Sequence, residues 1–66
     1  MDRQMLERRL KEYSDGACVM RTSQFAKFYG CRQDTASKML ASAEVEKVSG
    51  RWFIPSIVEK IMKGYM

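Results

Sequence analysis

TSQFAKFYGCRQDTASKML, residues 22–40, carries apolar side chains in two phases with one glycine between them. Phe25, Ala26, Phe28 and Tyr29 crowd a short first helix, for which Thr22 and Ser23 are both good N-caps. Beyond Gly30, the residues Ala36, Met39 and Leu40 recur at helical spacing and predict a second helix over 32–42. Gly30 tolerates a left-handed turn, so the change of phase is explained by two helices meeting across it. Ala26 is the small contact four residues earlier, while Phe25, Tyr29, Cys31, Ala36 and Met39 lock the inner faces. That arrangement turns Arg32, Gln33, Asp34, Ser37 and Lys38 outward.

Upstream, Met5, Leu6, Leu10 and Tyr13 predict an amphipathic helix over residues 2–13, with Glu7 and Lys11 a favourable i,i+4 pair. SDG at 14–16 ends it, and ACVM at 17–20 reads as a short strand. Downstream, VEKVSGRWFI at 45–54 is two β-prone runs around Ser49-Gly50, a hairpin signal. A two-residue loop opposes Val45 to Ile54 and Lys47 to Trp52. A loop of three or four residues with Gly50 left-handed shifts that register, and both remain open. Trp52 and Ile54 alternate onto the core face, which leaves Phe53 outward. Pro55 suits the first turn of a last helix whose apolar face is Ile57, Val58, Ile61, Met62 and Tyr65. The order is helix, short strand, two helices, hairpin, helix. It predicts an α+β, mainly helical fold, a winged helix-turn-helix in one domain over 1–66, with the short strand pairing to the hairpin.

Composition bounds the function. Sixty-six residues leave room for one small core. A hydrophobic share of 45% with 30% charged residues is globular. A net charge of +4 and a pI near 9.3 favour a polyanionic partner. No apolar run reaches the roughly 18 residues of a membrane span, and MDRQMLERRLKEY lacks a signal peptide's apolar centre. A cytoplasmic protein is expected. Cys18 and Cys31 have no CxxC spacing and read as two buried free thiols, with a disulfide the lesser alternative. The chain has no histidine. It therefore lacks the usual general base and the commonest zinc ligand, so no enzyme, metal or cofactor is expected. The six methionines read as core filler.

The outward residues match the chemistry of a DNA surface. Gln33 can pair with adenine and Arg32 with guanine, while Ser37 and Lys38 reach base edges or phosphates. Asp34 opposes phosphate unless it accepts from cytosine or orients Arg32 or Lys38. Thr22 and Ser23 open the supporting helix, where hydroxyls and free N–H groups hold phosphate. At the hairpin tip Lys47 and Arg51 can clamp backbone or enter the minor groove, or simply protect a strand edge. The competing reading is the same fold used only to bind protein, as an antirepressor or assembly module.

FAKFYGCRQDTASKML followed by VSGRWFIP and an apolar helix resembles the small excisionase-type, MerR-like winged-helix DNA-binding domains. Ala26, Gly30, Thr35, Gly50, Arg51, Trp52, Ile54 and Pro55 match in order and spacing, over roughly Val19 to Lys63. Three positions depart: Arg32 stands at the usual Ser or Thr cap, Gln24 at a common Glu, and Phe53 at a frequent basic residue. The resemblance implies a small phage or mobile-element protein that bends DNA and directs an integrase towards excision, or one that regulates transcription. It also implies double-stranded DNA as partner; because a single module this small makes an interface of only about 600–1,000 Å², dimers or cooperative arrays are expected. The N-terminal helix is an addition that completes the core or mediates self-association.

Overall fold

The computed structural model describes residues 2–66. Its elements are α1 (Arg3–Tyr13), β1 (Val19–Met20), α2 (Thr22–Tyr29), α3 (Gln33–Ser42), β2 (Lys47–Val48), β3 (Arg51–Phe53) and α4 (Ile54–Met62). The described residues thus form an α+β fold, mainly helical, with four helices and one three-stranded antiparallel sheet in the order β1-β3-β2.

The short strand pairs with the hairpin as expected, placing Val19 opposite Phe53 and Met20 opposite Trp52. Across the hairpin, Lys47 faces Trp52 and Val48 faces Arg51, so the loop is the two-residue Ser49-Gly50. Both loop residues have positive φ, 54° and 77°, the primed turn whose twist matches the flanking strands. β2 is only two residues long, and the ladder closes where the Phe53 N–H donates to the Glu46 carbonyl at 2.9 Å.

The bend between α2 and α3 is made as the sequence predicts. Gly30 sits at φ 80°, ψ 35°, and its N–H and that of Cys31 both donate to the Ala26 carbonyl, at 2.8 and 3.0 Å. Ala26, Phe25, Ala36 and Leu40 are buried where the two helices pack. The core is completed by Leu6 and Leu10 of α1, Met20, Ala43, Val45, Trp52, and Ile54, Ile57 and Val58 at the start of α4. α1 packs on α2 and α4.

Several expected core positions lie at the surface. Met5 is 54% exposed, because Leu6 and Leu10 alone seat α1 and Met5 sits about 100° around the helix from Leu6. Tyr13 and Tyr29 are exposed although they pack on aromatic neighbours: Tyr13 meets Phe28 edge-on and Tyr29 stacks on Phe25, each at 5.7 Å between centroids. α4 ends at Met62, which is itself exposed, and Gly64 at φ 84° turns the chain. Tyr65 therefore leaves the helical phase and is 65% exposed. Phe53 is half-buried rather than fully outward. Both cysteines are free, but Cys18 is exposed, so the expectation of two buried thiols holds for neither fully: Cys31 is only half-buried.

Candidate nucleic-acid interface

The first three backbone N–H groups of any helix have no intrahelical partner, and a Ser, Thr, Asn or Asp side chain normally caps them. α1 follows that rule: the Asp2 carboxylate accepts from the Met5 N–H at 3.0 Å. α2 and α3 do not. Each begins after an arginine in extended backbone, Arg21 at φ −84°, ψ 159° and Arg32 at φ −78°, ψ 158°. A guanidinium carries no acceptor, so neither residue can cap.

This corrects the expectation that Thr22 or Ser23 caps α2. Thr22 is the first helical residue and Ser23 the second, both half-buried. Gln24 supplies half of a capping arrangement by accepting the Arg21 N–H on Oε1 at 2.8 Å. Among the described residues the N–H groups of Thr22, Ser23 and Gln24 have no partner. The Thr22 hydroxyl is engaged elsewhere, since its Oγ1 accepts from the Trp52 indole N–H at 2.9 Å.

α3 starts at Gln33, one residue later than expected. Its Asp34 carboxylate accepts the Thr35 N–H at 3.0 Å and lies 3.7 Å from Arg32 Nε, a loose ion pair with both side chains largely exposed. Of the roles open to Asp34, the structure shows only this loose contact with Arg32. Gln33, Ser37 and Lys38 are all exposed, while Ala36 and Leu40 of the same helix are buried.

On the hairpin, the Lys47 ammonium sits 4.5 Å from the centroid of the Trp52 ring, and Arg51 is exposed beside the turn. Trp52 therefore brings Lys47 to one side and Thr22 to the other, with Arg51 its neighbour in the chain. Arg32, Gln33, Ser37 and Lys38 form a separate group along α3. Among the described residues no hydrogen bond or ion pair joins the two groups, and Arg21, Lys38, Lys47 and Arg51 have no carboxylate partner.

Two participants escaped sequence reasoning. Arg21 was detectable: a glutamine three residues on, at Gln24, is the spacing of a capping arrangement and points to position 21 as the cap. The Trp52 indole was not, because its partner is 30 residues away. The perturbed ionisable groups lie apart from this surface, on and just after α4. The Lys63 ammonium donates to Glu59 at 2.8 Å, which holds the Glu59 carboxyl below the usual carboxylate range and the Lys63 ammonium above its usual value. Among the described residues no three His, Cys, Asp or Glu side chains gather to hold a metal ion, and no helix is long and apolar enough to cross a membrane. Comparison with protein-family models, with curated proteins and with solved structures yields no match to this chain.

Proposed function

We propose that this chain is a cytoplasmic winged helix-turn-helix protein that binds double-stranded DNA. Its role on this reading is that of an excisionase-like architectural factor or small transcription regulator of a phage or mobile element. The observation that carries the reading is the start of α2 and α3: each has an arginine in place of a capping side chain and free N–H groups behind it. An uncapped helix start lowers stability by about 0.5–2 kcal/mol relative to a capped one. A phosphate oxygen supplies the missing acceptor, and the guanidinium adds a charge-assisted contact.

On this reading α3 enters the major groove. Gln33, Ser37 and Lys38 meet base edges, Arg32 meets phosphate or guanine, Thr22 and Ser23 hold the adjacent backbone, and Lys47 and Arg51 clamp from the wing. A single module of this size buries roughly 600–1,000 Å² on DNA. Specific binding therefore calls for dimers or cooperative arrays on adjacent sites, with an integrase as a further partner in the excision role. Footprinting that shows a lone monomer on one short site refutes the array.

The test is fluorescence anisotropy on random-sequence duplex, titrated with salt, for the wild type beside Arg51→Ala and Lys38→Ala. Binding with a log–log slope near −0.9 per neutralised phosphate, made shallower in each variant, supports the reading. No binding at low salt refutes it. The protein-binding alternative is favoured by a different observation: Tyr29 and Met62 are exposed around an apolar cleft lined also by Leu6, Phe28, Ile61 and Met66.

A further inference from the structure

Trp52 is the only tryptophan in the chain and is 6% exposed. Its backbone pairs with Met20 of β1 on one side and Lys47 of β2 on the other. The indole N–H donates to Thr22 Oγ1 at 2.9 Å, and the Lys47 ammonium stands 4.5 Å from the ring centroid. Burial alone requires only an aromatic ring at this position. The indole N–H and the cation over the ring face are additional, and they connect the hairpin to the first residue of α2.

We infer that Trp52 is a positioning residue that couples the hairpin to the start of α2, so that Lys47 and Thr22 engage one duplex backbone as a unit. This rests on the duplex-binding reading above. A hydroxyl has one proton and two lone pairs. Because Thr22 accepts from the indole, its own proton is left to donate outward, beside the unpartnered N–H groups of Thr22 and Ser23. On the other side, the ring face restrains a long flexible ammonium side chain, so less freedom is lost when it meets a phosphate. Trp52 itself touches no DNA on this scheme. It sets the relation between the two groups that do.

The experiment is a double-mutant cycle on duplex affinity: Thr22→Val, Lys47→Ala and the pair, each in the native and the Trp52→Phe background. Thr22→Val removes the acceptor at nearly constant shape, and Trp52→Phe keeps a ring while deleting the N–H. In the native background the two single losses are expected to multiply to about fivefold more than the loss of the double variant, the signature of coupled sites. In the Trp52→Phe background they multiply independently, and the salt dependence of binding becomes shallower by about one phosphate contact. A merely structural Trp52 shifts the melting temperature but leaves that salt dependence unchanged. Independent losses in the native background overturn the inference, and that half of the cycle stands whether or not Trp52→Phe folds. Wild-type protein that binds no duplex overturns the inference together with the reading beneath it. Binding without coupling overturns the inference alone.

Discussion

Replacing Arg32 with serine is expected to stabilise the fold and weaken duplex binding in the same molecule. The backbone at Arg32, φ −78° and ψ 158°, already has the extended geometry of an N-cap, so serine fits without rearrangement. A capping serine contributes about 0.5–2 kcal/mol, but the Asp34 carboxylate already accepts the Thr35 N–H, which leaves mainly the Asp34 N–H to satisfy. The gain therefore lies at the lower end. Against it stands the loss of the Arg32–Asp34 pair, 3.7 Å apart with side chains 88% and 68% exposed, a geometry that contributes a few tenths of a kcal/mol at most. The net is about 0.2–0.3 kcal/mol, or a rise of roughly 1–2 °C in Tm for a domain this small. In the anisotropy assay the same variant loses one phosphate contact, and its salt slope falls in magnitude by about 0.9. Arg32→Lys is the control, keeping the charge without the cap. A lower Tm for Arg32→Ser, or a salt slope equal to that of the wild type, refutes the argument that an unfilled cap is reserved for phosphate.

Four further outcomes test the fold. Gly30→Ala meets no atom within 4 Å at its new Cβ, so its effect is backbone strain alone: about 1–2 kcal/mol at φ 80°, partly offset in the unfolded chain. Gly30→Asn is milder, and a Gly30→Ala protein that melts at or above the wild-type temperature contradicts the left-handed turn. Ser49→Asn suits the first positive-φ position of the two-residue hairpin and is expected to raise Tm by a degree or more in thermal melts. Leu10→Ala removes a fully buried side chain at about 2–5 kcal/mol, a large part of the roughly 3–10 kcal/mol that 66 residues supply at about 0.05–0.15 kcal/mol each; thermal melts followed by circular dichroism should find Tm lowered by roughly 10 °C or more. The lowered pKa of Glu59 contributes stability above its unfolded value that is lost as pH falls through the folded one. The raised pKa of Lys63 contributes below its unfolded value and is lost as pH rises through the folded one. Glu59→Gln is therefore expected to flatten a small, salt-screened part of the acid limb of Tm against pH.

Much of this architecture was legible along the chain, because the signals concerned are local. Phe25, Ala26, Ala36 and Leu40 announce two helical phases, Gly30 the bend, Ser49-Gly50 the hairpin, and Pro55 the last helix. Each depends on neighbours within a few residues, where backbone sterics and side-chain period act directly. The residues proposed for DNA were named by chemistry and by exclusion from the inner face, and Gln33, Ser37, Lys38 and Arg51 are exposed as that reasoning requires.

Tertiary structure decided what depends on contacts distant in sequence. Periodicity marks Met5, Tyr13, Met62 and Tyr65 as apolar-face residues, but how wide a stripe is covered depends on how closely α1, α2 and α4 approach. The register of the hairpin was open between loop lengths until Lys47 paired with Trp52. Thr22 looks like a cap in sequence, yet the sheet pairing of Met20 with Trp52 brings the indole to its hydroxyl and leaves Arg21 at the cap position. The amino-acid order by itself determined which segments turn inward, since that is a matter of local period and turn chemistry. The junction of Thr22, Trp52 and Lys47 spans three elements, and only folding sets their distances.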